Sequence, residues 1–202
     1  MSKYSKKYVM VETEEDEEVE KNDDENKEIK VINNDIYFYT DITKQSILDL
    51  TMIIRKLTSS LLKIKYEFNM DPIIKLHINS EGGEVFAVSS IIHLIETNII
   101  DIHTIIEGQA CSAATLLSIV GKKRFITKNS YMLLHHISSE CWGKLNELED
   151  EIKNLNLITK NFKELYKQYS NIRSKTFDTL FKKDLLLDAR TCLNYGLVDE
   201  II

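Results

Sequence analysis

Two stretches of small residues occur where a strand should end and a helix should begin. Residues 80–83 (SEGG) contain two glycines, which let backbone N–H groups approach a ligand with no Cβ in the way. Residues 110–114 (ACSAA) place Ser112 among small neighbours, as a nucleophile on a sharp strand-to-helix turn requires. The backbone N–H groups of Gly82 and Ala113 could together form an oxyanion hole. Taken alone, Ser112 would be an ordinary helix N-cap.

A serine needs a base to become a nucleophile, and the sequence offers five histidines. His93 falls on an apolar helix and His103 opens a strand, so we expect both to be structural or exposed. His77 points to the polar face of its strand. His135 ends a strand, where its ring can reach the carboxyl edge at which α/β sheets bind ligands. Strand alternation turns His136 the other way, which favours His135 as the base.

The third member of such a triad is a carboxylate that orients the imidazole. Asp184 and Asp188 are the C-terminal candidates, and the residues alone leave the choice between them open. Metal chemistry is not indicated, because the three cysteines are widely spaced and no CxxC pair or other metal-ligand spacing occurs. We therefore expect neither a metal nor a cofactor.

The elements that must position these residues alternate between strands and helices. Strands are predicted at 31–39, 73–79, 102–107, 123–126, 131–135 and 197–202. Helices are predicted at 44–66, capped by Asp41 or Thr43, at 84–97, at 113–120, and in a short segment between 185 and Gly196. This alternation implies βαβ crossovers and a largely parallel sheet, and hence an α/β fold.

The longest helix signal covers residues 144–170. About 27 helical residues would extend ~40 Å, which is more than a compact domain of this size needs. The helix could be a surface helix of the core, or an arm that projects into a partner subunit and buries its apolar stripe there. The stripe comprises Leu145, Leu148, Ile152, Leu155, Phe162, Leu165 and Tyr169.

Composition indicates one globular domain with an acidic N-terminal arm. The 202 residues are 43% hydrophobic and carry a net charge of −6. Residues 12–28 hold eleven acids and two lysines, a charge of −9, which leaves +3 on the remainder. We expect residues 1–30 to be a disordered, solvated leader, with docking to a basic face as the alternative. The remainder has no concentrated basic stripe, so nucleic-acid binding is not expected.

Neither a membrane-spanning run nor a secretory signal is visible in the sequence. No apolar run approaches the ~20 residues that a spanning helix needs. The first ten residues contain lysines but no apolar core of a signal peptide. We therefore expect a cytoplasmic or organellar protein with no membrane partner.

Four motifs, taken in order, resemble the proteolytic subunits of the Clp protease family over residues 31–202. They are INSEGGEVFA (78–87), GQACSAATLL (108–117), NSYMLLHH (129–136) and DLLLDARTCLNYGLVDEII (184–202). The resemblance implies a catalytic triad in which Ser112 is the nucleophile, His135 the base and Asp184 the carboxylate. It also implies that Gly82 and Ala113 donate the oxyanion-hole N–H groups.

The resemblance has implications for fold, assembly and activity. It implies a crotonase-like spiral of βαβ units, with residues 144–170 forming a "handle" helix that interlocks two stacked seven-membered rings. It implies a serine endopeptidase that hydrolyses unfolded polypeptides delivered by an AAA+ unfoldase. ATP would be used only by that partner, so the chain itself would need no cofactor.

Three other interpretations compete with an active peptidase subunit. A non-catalytic, regulatory ring subunit would retain the fold without turnover. A related phage-type maturation peptidase or signal-peptide peptidase would differ in its substrates. An acyl-CoA hydratase or isomerase could share the fold, but those enzymes use no serine nucleophile, so the combination of Ser112, His135 and Asp184 disfavours them.

Overall fold

The computed structural model of the protein describes residues 29–202, which form eight strands and six helices. The strands are β1 (Lys30–Ile32), β2 (Asp35–Phe38), β3 (Ile74–Ser80), β4 (Ile102–Cys111), β5 (Lys123–Ile126), β6 (Tyr131–Leu133), β7 (Leu186–Asp188) and β8 (Glu200–Ile201). The helices are α1 (Lys44–Phe68), α2 (Val85–Thr97), α3 (Ala113–Ile119), α4 (Leu145–Tyr169), α5 (Ser174–Leu180) and α6 (Ala189–Asn194). The acidic segment predicted at 1–30 lies outside the described residues, apart from its last two.

The strands form one sheet in the order β1-β2-β3-β4-β5-β8, with β6 and β7 attached beside the second half of β4. Every pair from β2 to β8 along this order is parallel, which confirms the predicted α/β fold. β4 pairs with β5 in its first half and with β6 in its last three residues. Gly108 lies between the two halves, with φ of 92°, and a Cβ there would meet Asn79 Oδ1 at 2.8 Å.

The predicted first strand at 31–39 is wrong in its extent, because the structure divides it into a hairpin. β1 runs antiparallel to β2, with Ile32 opposite Asp35. Asn33 takes φ of 57° at the turn, and asparagine tolerates this left-handed conformation better than most residues. The polar residues Asn33, Asn34 and Asp35 interrupt the apolar pattern at this point, and adjacent asparagines are typical of a turn, so the prediction of one continuous strand overlooked a local signal.

The buried core lies between the sheet and the helices that pack on it, and α3 is buried over its whole length. Thr43 caps α1 by accepting a hydrogen bond from Ser46 N–H at 3.0 Å, so Thr43 rather than Asp41 is the N-cap. Ile47, Leu50 and Ile54 of α1 are buried, whereas its later turns are largely exposed. The predicted helix at 44–66 is therefore confirmed; its first half is buried in the core, and Leu57, Leu61 and Leu62 of its second half pack against the core while partly exposed.

α4 is a 25-residue helix that contacts the core mainly through its C-terminal end. Tyr166 is its one buried residue. Leu145 and Ile152 in the outer part are 73% and 59% exposed, so the predicted apolar stripe is uncovered there in the single chain. Within residues 29–202, neither α4 nor another helix is long and apolar enough to cross a membrane.

The C-terminal region differs from the single helix predicted to end at Gly196. Residues 186–188 form β7, which pairs antiparallel with β6, and the helix is limited to α6. Asp188 begins α6 by accepting a hydrogen bond from Thr191 N–H at 2.8 Å. An additional helix, α5, precedes β7 and contributes the buried Phe177 to the core.

Candidate active site

Ser112 lies on a sharp turn between β4 and α3. Its φ of 53° and ψ of −123° are unusual for a residue with a side chain, and such strain is typical of functional turns. Ser112 occupies the N-cap position of α3, but its side chain makes no capping hydrogen bond, so helix capping does not account for the hydroxyl. Its N–H donates to Leu133 C=O at 2.8 Å, which joins the turn to the end of β6.

The loop after β3 packs directly against this turn. Ser80 pairs with Ala110 across β3 and β4, so Gly82 comes level with Ser112 two residues later. A Cβ on Gly82 would lie 2.6 Å from Cys111 C=O and 2.8 Å from Ser112 Cβ, so only glycine fits there. The steric restriction explains why residue 82 is a glycine, and the close approach brings the backbone N–H groups of Gly82 and Ala113 near each other.

The two predicted oxyanion donors differ in their present hydrogen bonding. Gly82 N–H donates to Ser80 Oγ at 3.2 Å, inside its own loop. Ala113 N–H belongs to the first turn of α3, where no helical carbonyl can reach it.

The register of β6 and β7 brings His135 and Asp184 together. Leu133 pairs with Leu186 in this antiparallel pair, so two further residues on each segment place His135 opposite Asp184. His135 Nδ1 lies 3.2 Å from Asp184 Oδ1. The His135 side chain is 27% exposed and that of Asp184 is 79% exposed. The contact leaves His135 Nε2 unbonded to the carboxylate.

Ser112 and His135 line the same cavity beside the end of β4. Within residues 29–202, no hydrogen bond joins the Ser112 hydroxyl to the His135 ring. Cys111 and Leu133 are paired at the ends of the parallel strands β4 and β6. Ser112 and His135 follow these strand ends within two residues and are therefore close together.

His136 and Asp188, the alternatives left open by the sequence, have other contacts. His136 N–H donates to Phe181 C=O at 3.0 Å, and its ring packs edge-on against the Phe181 ring at 5.7 Å. The hydrogen bonds from Thr191 to Asp188 hold the pKa of that carboxyl below its usual range, as expected for a helix cap. These contacts therefore distinguish His136 from His135 and Asp188 from Asp184.

The other three histidines lie away from Ser112. His77 is buried between two carboxylates: its Nδ1 is 2.9 Å from Glu107 Oε1 and its Nε2 is 2.9 Å from Asp35 Oδ1. Burial lowers the pKa of His103, and Lys123 adds to this effect. His93 is exposed on α2. The sequence placed His77 on a polar face but did not reveal its two acidic partners.

The cavity beside Ser112 has a volume of about 70 Å³, and polar and apolar groups contribute about equally to its lining. Leu116 of α3 and Ile137 form part of its wall. Phe162 and Tyr166 reach it from α4, and Phe181 reaches it from the end of α5. Sequence reasoning did not place these three aromatic residues at the site, and it predicted Phe162 only as part of the apolar stripe. The spacing of Phe162 and Tyr166, four residues apart on one helix face, was the signal that could have found two of them.

The cysteines and the tryptophan show no reactive arrangement. Cys111 is buried, its thiol donates weakly to Gln109 Oε1, and burial raises the pKa of that thiol. Burial also raises the pKa of Cys192 to about 12. Trp142 is fully exposed in the segment before α4. Among the described residues, no group of three histidines, cysteines or acids could hold a metal ion.

Comparisons with known proteins agree on one family. Residues 25–202 match the family model described as Clp protease. The ATP-dependent Clp protease proteolytic subunit 2 of Streptomyces coelicolor is 31% identical over 139 residues, covering 66% of this chain and 64% of that protein. The corresponding subunit 2 of Frankia casuarinae is 28% identical over 131 residues, covering 64% of this chain and 60% of its own length. The matched region thus spans less than two thirds of these curated relatives.

The fold is also found among solved structures. A mutant of ClpP1 from Listeria monocytogenes aligns with a TM-score of 0.72 and 21% sequence identity. The alignment covers 84% of this chain and 91% of that chain. At this identity the likeness supports the shared fold.

Proposed function

Because the chain belongs to the Clp protease family, we propose that it is a serine-type endopeptidase subunit that hydrolyses unfolded polypeptides. One observation carries this proposal. Ser112, on its strained turn, shares a cavity with His135, and His135 Nδ1 faces Asp184 Oδ1 at 3.2 Å. This is the order of groups that nucleophilic catalysis by serine requires.

The proposed reaction is acyl transfer to Ser112 followed by hydrolysis. Ser112 Oγ attacks the peptide carbonyl carbon while His135 Nε2 accepts the hydroxyl proton. Asp184 stabilises the resulting imidazolium through Nδ1. His135 then gives the proton to the leaving amine, and a water molecule hydrolyses the acyl-enzyme by the same route in reverse. No metal or cofactor takes part.

The carbonyl oxygen gains negative charge as Ser112 attacks and needs donors placed in advance. Ala113 N–H is the first proposed donor, because it lies at the start of α3 directly after the nucleophile. Gly82 N–H is the second. It is held next to the turn, and the long 3.2 Å bond to Ser80 Oγ must give way when substrate binds.

The uncovered side chains of α4 support self-association. Leu145, Ile152 and Leu157 are each more than half exposed, and an isolated chain would leave this apolar surface in water. We propose that α4 is the handle that packs against another copy, in rings stacked as two heptamers. The proposed partner for folded substrates is an AAA+ unfoldase, which would hydrolyse ATP and deliver the unfolded chain.

A non-catalytic ring subunit is the second candidate function. It is favoured by the absence of a hydrogen bond between Ser112 and His135 within the described residues. In this alternative, the chain would assemble into the ring but would not turn over substrate.

Labelling of the purified protein by a fluorophosphonate probe tests the proposal. We expect the oligomeric fraction of the wild type to gain one probe mass per chain and Ser112→Ala to gain none. Ser138→Ala is the matched control, because Ser138 lines the same cavity and should leave labelling intact. An assembled wild type that gains no mass would contradict the peptidase and favour the non-catalytic subunit.

A further inference from the structure

Two buried hydroxyl groups connect α4 to the turn that carries Ser112. Thr115 is fully buried on α3, and Tyr166 is almost fully buried near the C-terminal end of α4. Their hydroxyl groups are hydrogen-bonded to each other. Thr115 Oγ1 also contacts the Ser112 carbonyl oxygen at 2.5 Å. The peptidase mechanism outlined above makes no use of either hydroxyl.

The direction of these hydrogen bonds follows from the chemistry of the groups. A carbonyl oxygen can only accept, so Thr115 must donate its one hydroxyl proton to Ser112 C=O. Tyr166 must then donate to Thr115 Oγ1. Thr115 N–H donates to the same Ser112 oxygen at 3.1 Å, so this carbonyl accepts two hydrogen bonds.

The Ser112 carbonyl and the Ala113 N–H belong to one planar, trans peptide group. Because both groups lie in that plane and point to opposite sides of the C–N bond, fixing the carbonyl oxygen also fixes the direction of the Ala113 N–H. Hydrogen bonds in a chain also polarise one another, so a carbonyl that accepts two bonds makes its own N–H a stronger donor. The chain of bonds from Tyr166 thus ends at Ala113 N–H.

We propose that Thr115 and Tyr166 are positioning residues that orient and polarise the Ala113 N–H as an oxyanion donor. This inference rests on the proposed function, because it assigns these residues to the same reaction at Ser112. Neither side chain is required to touch the reacting atoms. Their effect is transmitted through the Ser112–Ala113 peptide group.

The setting of Tyr166 suits a permanent donor. Burial raises the pKa of its phenol far above the ordinary value, so the hydroxyl keeps its proton throughout the neutral and mildly alkaline range. The ring packs against Phe177 at 5.3 Å and Phe181 at 5.7 Å, which holds it against α3. The effect on catalysis should therefore be independent of pH.

A double variant separates positioning from packing. Thr115→Val combined with Tyr166→Phe removes both hydroxyls and leaves no buried donor without a partner. Loss of a whole oxyanion donor costs about 10²–10³-fold in kcat, and an indirect contribution should be smaller. We expect the double variant to label with the fluorophosphonate, and to hydrolyse a peptide substrate, at rates about 10-fold lower. KM and the midpoint of the pH profile should be unchanged.

Thr104→Val is the matched control. Thr104 is also fully buried, and its hydroxyl donates at 2.7 Å to Ser118 C=O at the far end of the same helix. It should cost comparable thermal stability and leave kcat unchanged. Thr115→Ser, which retains the hydroxyl, should recover most of the rate lost in Thr115→Val.

The outcomes distinguish the two proposals. A wild type that labels at Ser112, with an equal rate in the double variant, would overturn the positioning role and leave the peptidase intact. An equal loss of rate in Thr104→Val would also overturn it, because a general loosening of α3 would then explain the effect. An assembled wild type that does not label would overturn both proposals.

Discussion

His77 and His135 each contact a carboxylate, but their surroundings differ in a way that bears on function. His77 is buried, with both ring nitrogens 2.9 Å from a carboxylate oxygen and its ring stacked on Tyr37 at 4.5 Å. His135 is partly exposed, and only its Nδ1 meets a carboxylate, at the longer distance of 3.2 Å. A general base needs a nitrogen that can accept a proton, and His77 has none to spare. His77, whose two ring nitrogens both contact carboxylates, is therefore the structural histidine.

The largest expected difference between substitutions of the two histidines is in kcat. We expect His135→Ala to lower kcat by about 10³-fold or more, because Ser112 loses its base. His77→Ala should leave the kcat of the folded protein within about twofold of wild type. Steady-state hydrolysis of a fluorogenic peptide, with the oligomeric state checked by sedimentation, measures both. Equal losses in the two variants would erase the distinction.

The carboxylate partner of His135 should have a smaller effect. Asp184→Asn is expected to lower kcat by about 10²-fold, less than for a buried triad carboxylate, because water can reach this exposed pair. Asp188→Asn is the control four residues away, and kcat should be unchanged because Asp188 caps α6. The same peptide assay compares them. A larger loss in Asp188→Asn would reverse the assignment.

For the free energy of unfolding, we expect the larger effect at His77 and the smaller effect at His135. His77→Gln leaves Asp35 and Glu107 close together with less compensation, so we expect it to lower the free energy of unfolding by about 2–3 kcal/mol. His135→Gln should lower it by less than about 0.5 kcal/mol, as for most exposed side chains. Urea denaturation measured at constant protein concentration tests the pair. A larger loss in His135→Gln would contradict the structural role of His77.

Low pH should lower the free energy of unfolding through the contacts of Asp35 with His77 and Lys75, and we expect this effect to be smaller than that of His77→Gln. Burial acts to raise the pKa of Asp35, but the hydrogen bond from His77 and the charge of Lys75 outweigh it and hold the pKa below its usual value. A lowered carboxylate pKa gives stability that is fully present above about pH 4 and is lost as the pH falls below that value. As the pH falls below about 4, the unfolding free energy should therefore decrease less steeply in Asp35→Asn than in the wild type. Identical slopes in thermal denaturation series would count against this contribution.

The sequence predicted most elements whose signals are local. Helical periodicity found α1 and α4 to within two residues at each end, because a long amphipathic stripe leaves little ambiguity. Small residues around Ser112 predicted its turn for a steric reason that the structure bears out at Gly82. The hairpin at Asn33 was missed because the prediction joined the apolar residues on either side of the turn into one strand, although adjacent asparagines are typical of a turn.

The contacts that sequence reasoning missed depend on long-range packing. Tyr166 meets Thr115 only because α4 folds back on α3, and nothing local to either helix predicts that crossing. Asp188 was different, since aspartate is a preferred residue immediately before the first turn of a helix.

The antiparallel pairing of β6 with β7 has a consequence for how the protein is made. Gly82, Ser112 and His135 all emerge from the ribosome before Asp184 and β7. At ~5–20 residues per second, the interval between synthesis of His135 and synthesis of Asp184 lasts several seconds. During that time the nascent chain carries a serine and a histidine without the strand that aligns them. If the proposed peptidase function holds, synthesis order alone would delay activity until the fold is nearly complete.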